Sequence, residues 1–414
     1  MKVDKSPSVV GGAMIAAGTM IGAGMLSLPI ASAGMWFGWT VMIMLLTVFF
    51  MYITAEQILE VNLGYKPGAS FDTLVKDNLG GLWRFVNGFS VAFVLYILLY
   101  AYVVGSGSVI SNTIGHNFDI AIPRYQSSLI FALLFTGIVW WSTKAVDRIS
   151  TILMIGMFLT LFAAVTGLLG KIEIPYLFEP SGESRYAIYA FASLPFFLTS
   201  FCFHASVPSF VKYYGIEGKK IKKAIAWGMS ITFIFYLAWM VAIMGSIERE
   251  SFLSVGSDQV AWLLDEVNAS PFTGLALRFF AFFAVVTSFL GAGLGLFDYI
   301  ADLFKINDGH KGRFLTALIT FLPPTILGML FPNGFVLAIG FAGLFAAIWS
   351  VIVPAAMVIN YRKKAEKSGQ KPAVSFRAFG GKVMPYIIIL YGLVAIVSHL
   401  LVEVFNVSAL NFFK

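Results

Sequence analysis

Few side chains in this sequence can exchange a proton or hold an ion within apolar surroundings. His204 lies inside an apolar stretch near Arg185 to Val211, and an imidazole changes charge near neutral pH. An ionisable group within a membrane segment marks function by default, with a neutral, hydrogen-bonded structural histidine as the equal alternative. Carboxylates form two i, i+4 pairs, Glu56 with Glu60 and Asp298 with Asp302. Each pair shares one helix face. Both are candidates to carry an ion, and equally are solvated helix ends or partners of loop lysines. The four histidines (His116, His204, His310, His399) show no ligand spacing, and Cys202 is the single cysteine. A disulfide framework, a CxxC motif and a metal or other cofactor are therefore not expected. No cluster of nucleophile, base and metal ligands suggests an enzyme.

The main chain offers more. Gly18 to Pro29 reads GTMIGAGMLSLP inside the first long apolar segment. Gly18, Gly22 and Gly24 lower helix propensity, and Pro29 cannot donate to the carbonyl of Met25. In lipid each freed backbone group is costly unless protein or a water-filled cavity satisfies it. The stretch is thus a tight GxxxG packing surface at Gly18 and Gly22, or an unwound binding site. A second interruption, RYAIYAFASLPFFLTSFCFHASVPSF, carries Pro195, Pro208, Ser193, Thr199, Ser200, Ser206, Ser209 and His204. Pro208 is expected to leave the His204 carbonyl without its helical donor.

The elements that must position these groups are membrane helices. The chain is 59% hydrophobic and 12% charged, whereas soluble domains run near half apolar and a quarter charged. Apolar stretches long enough to span a bilayer predict eleven helices, at 8–33, 35–60, 86–112, 126–142, 149–170, 186–211, 224–246, 272–303, 314–331, 334–360 and 384–403. With the N-terminus cytoplasmic, one set of loops holds 22 Lys and Arg and the other side holds 6. That asymmetry predicts an N-terminus inside and a C-terminus outside, periplasmic in a bacterium. The net charge of +7 is then an orientation signal and no sign of nucleic acid. Lys2 and Lys5 precede an apolar run that is too long and glycine-broken for a signal peptide, so a retained first helix is expected. No soluble domain is visible, and residues 1–414 read as one transmembrane domain. The two most interrupted spans, the first and sixth, lie five apart. Two five-helix halves would therefore have opposite orientations, as in inverted-repeat transporters with a midplane site. Repeat one would cover about 8–170, repeat two about 186–360, with an extra helix at 384–403.

GTMIGAGMLSLP closely resembles the helix-1 signature of the hydroxy and aromatic amino acid permease family. Further matches are STKAVDR at Ser142–Arg148, KYYG at Lys212–Gly215, SFLGAGLGLFDYIADLF at Ser288–Phe304 and FPNGF at Phe331–Phe335. Together they look like the tryptophan permease branch more than the tyrosine-specific one. The resemblance implies the amino acid–polyamine–organocation superfamily and the five-plus-five fold of the bacterial leucine transporter. It implies a proton-driven importer of aromatic amino acids, L-tryptophan foremost, in the bacterial inner membrane, with no obligatory protein partner evident. Sodium-coupled uptake and a non-transporting amino acid sensor are the rivals.

The implied site takes a zwitterion. Amides of Gly22, Ala23 and Gly24, at a half-helix N-terminus, suit a carboxylate. Carbonyls around Ala17, Gly18, Phe201, Cys202 and His204 suit the ammonium, with a hydroxyl from Thr19. Aromatic walls would come from Phe93, Tyr96 and Tyr100, a stripe on helix 3, with Phe201, Phe203 and Phe289. For coupling, His204, Glu56 and Asp298 are candidates. Thr287 and Ser288 resemble the hydroxyl pair that holds sodium in sodium-coupled members of the fold. Some proton-coupled relatives place a Lys on helix 5, but this sequence has no basic residue between Arg148 and Lys171.

Overall fold

The computed structural model describes residues 8–178, 183–267, 270–368, 376–410 and 412–413. Lys2, Lys5, Lys371 and Lys414, all counted in the charge balance, lie outside them. Among the described residues there are helices and no strands.

The first span is two helices, α1 (Val9–Met20) and α2 (Gly24–Ser32), bent by 60° at the glycine-rich break. Ser8 caps α1, its hydroxyl accepting from Gly11 N at 3.0 Å. Then follow α3 (Trp36–Asn62), the short α4 (Phe71–Leu79), α5 (Gly81–Phe118), α6 (Arg124–Trp141) and α7 (Thr143–Leu168). Trp36 opens α3 at φ 60°, a costly conformation for a bulky residue. Its buried indole compensates by donating to the Tyr176 carbonyl at 2.6 Å and meeting Phe252 edge-on at 5.7 Å.

The second interrupted span is α8 (Ala190–Ser200) and α9 (Val207–Tyr214), separated by Phe201–Phe203 and one 3-10 turn, His204–Ser206. Pro208 falls in the first turn of α9, where a missing N–H costs little. The His204 carbonyl is therefore not freed, since Val207 N–H donates to it. The remaining elements are α10 (Gly218–Met244), α11 (Gln259–Glu266), α12 (Pro271–Leu303), α13 (His310–Leu330), α14 (Phe335–Ala346), α15 (Val353–Ser368) and α16 (Met384–His399). A π-helical stretch, Ala347–Ile352, joins α14 to α15.

Among the described residues nine helices are long and apolar enough to cross a membrane, ten if α1 and α2 count as one span. The expected span at 126–142 is α6, of 18 residues, which falls outside that set. Its first turns carry Arg124, Gln126, Ser127 and Ser128, which dilute the apolar run.

Two ends of the bundle differ in chemistry. At one, Arg362 pairs with Glu60, Lys222 with Glu56, and Arg313 reaches the Val139 and Trp140 carbonyls. At the other, Arg278 and Arg124 join a polar network with Asp265 and Asp258. The loops richest in Lys and Arg thus gather at a single end. Small residues let α1 and α10 approach closely. A side chain at Gly228 would place its Cβ 2.5 Å from that of Ala16 and 2.8 Å from the Ala13 carbonyl oxygen.

Candidate functional site

The two breaks meet inside the protein. A Cβ on Gly24, the first residue of α2, would lie 3.3 Å from the Ser200 hydroxyl, which ends α8. On the other side, a Cβ on Gly22 would come within 2.4 Å of Ser288 Oγ from α12. A methyl group at Gly22 would displace this hydroxyl, while Ser288 Cβ stays at 3.7 Å. The Ser288 hydroxyl accepts the Ala23 amide at 2.9 Å, so one of the three candidate amides already has a partner in this conformation.

The carbonyls freed by the breaks are collected by α10. Tyr236 Oη lies 2.7 Å from the Met20 carbonyl oxygen and 3.0 Å from that of Ser200. Trp239 Nε1 donates to the Met25 carbonyl at 3.0 Å, the group that Pro29 leaves unpaired. Both side chains are fully buried. Ala17 does not offer its carbonyl, which accepts Ile21 N at 2.8 Å. Gly18 faces α7, where its Cβ would meet Met154 Sδ at 3.1 Å. Thr19 is exposed and turns its hydroxyl back to the Ile15 carbonyl at 2.8 Å.

Phe201 is fully buried and meets Tyr236 edge-on at 5.0 Å, so it belongs to this centre. Cys202 beside it is half-buried. Phe203 packs against the ring of His204. His204 itself is fully buried and looks toward α3, its Nε2 2.7 Å from Thr54 Oγ1. Thr54 donates to the Met51 carbonyl at 2.9 Å, which assigns the Nε2 proton to His204 and leaves Nδ1 as the acceptor. That Nδ1 is buried with no hydrogen-bond partner among the described residues.

Most of the helix-3 stripe faces another groove. Phe93, Tyr96 and Tyr100 line an apolar groove of 860 Å³ with Pro323, Pro324 and Phe331. The Tyr96 and Tyr100 hydroxyls donate to the Ile319 and Phe331 carbonyls at 2.9 and 2.7 Å. They brace α5 against α13, and Phe93 packs on Phe345 at 4.1 Å. Phe289 is buried between Phe131 and Phe321. Thr287 donates to the Phe283 carbonyl of its own helix at 2.8 Å. Glu56 and Glu60 are buried rather than solvated: Glu56 accepts from Phe379 N at 3.0 Å and lies 2.7 Å from Lys222 Nζ. Asp298 is exposed in a cleft of 560 Å³ shared with Asp302, Asp308 and Arg313.

A larger cavity of 1180 Å³ opens at the Lys- and Arg-rich end. Its walls include Arg84, Asn87, Tyr96, Ala205, Tyr299 and Trp349, so it runs up to the residue after His204. At the opposite end side chains tie the helices together. Arg278, only 4% exposed, reaches Asp265 at 2.8 Å and Asn112 at 2.9 Å. Arg124 lies 3.0 Å from Asp258, which also accepts the Ser108 hydroxyl at 2.5 Å. These ties join α5, α6, α11 and α12 at that end.

Residues 5–399 match the tryptophan/tyrosine permease family. The chain is 47% identical over 404 residues to the tryptophan-specific transport protein of Pseudomonas aeruginosa, covering 96% of this chain and 95% of that protein. It is 42% identical to the tyrosine permease of Enterobacter agglomerans, over 87% and 89%. It is 40% identical to the low affinity tryptophan permease of Escherichia coli, over 98% of each. The chain belongs to the tryptophan/tyrosine permease family. Its relatives are permeases, not enzymes.

Within this permease, Tyr236, Trp239 and Ser200 are the site residues that reasoning from sequence missed. The signal for Tyr236 and Trp239 is faint: a donor-bearing aromatic near the middle of an apolar helix needs a buried partner. Ser200 was visible only as one of several small polar residues near the second break.

Proposed function

We propose that this chain is a secondary transporter that imports aromatic amino acids, tryptophan foremost, by proton symport with alternating access. The observation that carries this reading is the meeting of two interrupted helices in the interior, with charged networks at one end of the bundle and a large cavity opening from the other. Family membership supports aromatic amino acids as cargo. In this reading the basic end is cytoplasmic, the membrane is the bacterial inner membrane, and eleven spans form two inverted five-helix repeats plus a last helix.

The substrate carboxylate binds at the start of α2, on the Gly22 and Gly24 amides and the positive helix end. Its ammonium is received by carbonyls at Phe201 and Cys202, and Phe201 contributes the apolar wall. Thr287 donates to the Phe283 carbonyl and Ser288 accepts from Ala23, and both oxygens keep lone pairs, so the choice of proton over sodium rests on His204. His204, with its bare Nδ1, is the proton-carrying candidate.

Labelled tryptophan uptake in reconstituted liposomes, with pH and sodium gradients imposed separately, tests the proposal. Accumulation driven by an inward proton gradient in sodium-free buffer is expected. Uptake that follows sodium and ignores pH refutes the coupling. Tryptophan binding without accumulation under either gradient would make the protein a sensor.

A further inference from the structure

Tyr236 lies in the middle of α10 with its side chain fully buried, and its hydroxyl touches both helix breaks at once. The Met20 carbonyl at 2.7 Å ends α1, and the Ser200 carbonyl at 3.0 Å ends α8. A phenol has one proton to donate, so these two oxygens share it. Helix C-termini carry the negative end of the peptide dipoles. Two of them converging on one buried point make a place where a small cation is favourable, as at unwound helices that coordinate coupling ions. Here a neutral donor tethered to α10 fills that place. Ser200 Oγ, buried with no hydrogen-bond partner among the described residues, lies at the same junction as a further oxygen. The Phe201 ring packs edge-on against Tyr236 and shields the group from water.

The geometry points to Tyr236 as a positioning and ion-selectivity residue whose O–H occupies the space a sodium-sized cation would take between the two breaks. The inference rests on the proton-driven reading above and deepens it. A chain whose broken helices are joined by its own hydroxyl needs no cation from solution at that junction. Removing the hydroxyl leaves two carbonyls facing each other without a donor, which opens the position to a cation.

Tyr236→Phe removes only the oxygen. Two readouts are taken on the full-length protein: thermal unfolding in choline, lithium, sodium and potassium chlorides, and liposome tryptophan uptake under a pH gradient with and without sodium. The wild type is expected to ignore the cation in both. The variant is expected to transport roughly tenfold more slowly in choline, the effect of one buried acceptor left unsatisfied. Sodium should restore most of that loss and raise the unfolding temperature of the variant alone. A variant that matches the wild type in choline overturns the proposal, and so does an impaired variant indifferent to every cation. A lower KM for tryptophan without a cation response would also overturn it, assigning the carbonyls to the substrate ammonium. Tyr236→Gln, which supplies a neutral donor again, should remain indifferent to cations; a sodium response there is equally fatal. Should sodium drive the wild type itself, the proton reading fails, and the Tyr236 proposal is judged on the variant's unfolding temperature.

Discussion

Glu60 and Arg362 face each other in a two-point ion pair, Nε to Oε1 at 2.7 Å and Nη2 to Oε2 at 2.6 Å. The same carboxylate accepts the Ala378 amide at 2.7 Å, so it binds α3 to α15 and to the segment ahead of α16. Both side chains are nearly buried. Removing one partner strands a charge, which costs more than the pair contributes. Glu60→Gln or Arg362→Ala should lower stability by about 3 kcal/mol, read from thermal unfolding in detergent. The double variant should lose less than the two single losses summed; strict additivity would show that the groups do not interact.

A methyl group at Gly22 would meet the Ser288 hydroxyl at 2.4 Å. Gly22→Ala should turn that hydroxyl aside, break the Ala23–Ser288 hydrogen bond and reduce tryptophan uptake by roughly tenfold or more. Adding Ser288→Gly should recover part of the uptake by making space. If Gly22→Ala alone transports as the wild type does, the placement of the carboxylate site at this break is wrong.

His204 has its Nε2 committed to Thr54 and its Nδ1 open. His204→Gln can still donate to Thr54 but cannot gain a proton near neutral pH. The pH dependence of tryptophan uptake should flatten in this variant while tryptophan binding persists. An unchanged pH profile would remove His204 from the coupling scheme and leave it a structural residue between α3 and α9.

Arg278 ties the end opposite the large cavity through Asp265 and Asn112. Arg278→Gln should loosen α11 and favour the conformation open at that end. A cysteine introduced at Ser108, in a Cys202→Ser background, would then react faster with a membrane-impermeant thiol reagent added from that side. Equal rates with and without the Arg278 change would show that this network does not seal the pathway.

The first break was legible because its cause is local. Gly22, Gly24 and Pro29 weaken a helix whatever surrounds them, and the chain unwinds at Ile21–Ala23. The second break was legible in place, around Phe201 to His204, but the part Pro208 plays in it was not. Pro208 was read as breaking a helix, yet it begins one, and the unwound residues are Phe201–Phe203. Proline forbids a donor but says nothing about whether a helix ends or starts there.

Side-chain roles that depend on which helices touch were not legible. The helix-3 stripe does share a face, but periodicity cannot name the neighbour, and the tyrosines brace α13. The Glu56–Glu60 spacing identified one helix face correctly, whereas their partners Lys222, Arg362 and the amides of Ala378 and Phe379 come from far along the chain. Tyr236 and Trp239 escaped notice for the same reason: freed carbonyls can be anticipated, but not the helix that delivers their donors.

Cys202 is the sole thiol among 414 residues and stands half-buried in the second unwound segment. For spectroscopy this gives the protein a native address. A small fluorophore or a fluorinated tag attached there would report on this one junction against a background free of other labelled positions. Distance measurements that need two probes elsewhere must first replace this residue, and the replacement should be as small as serine so that the junction keeps its shape.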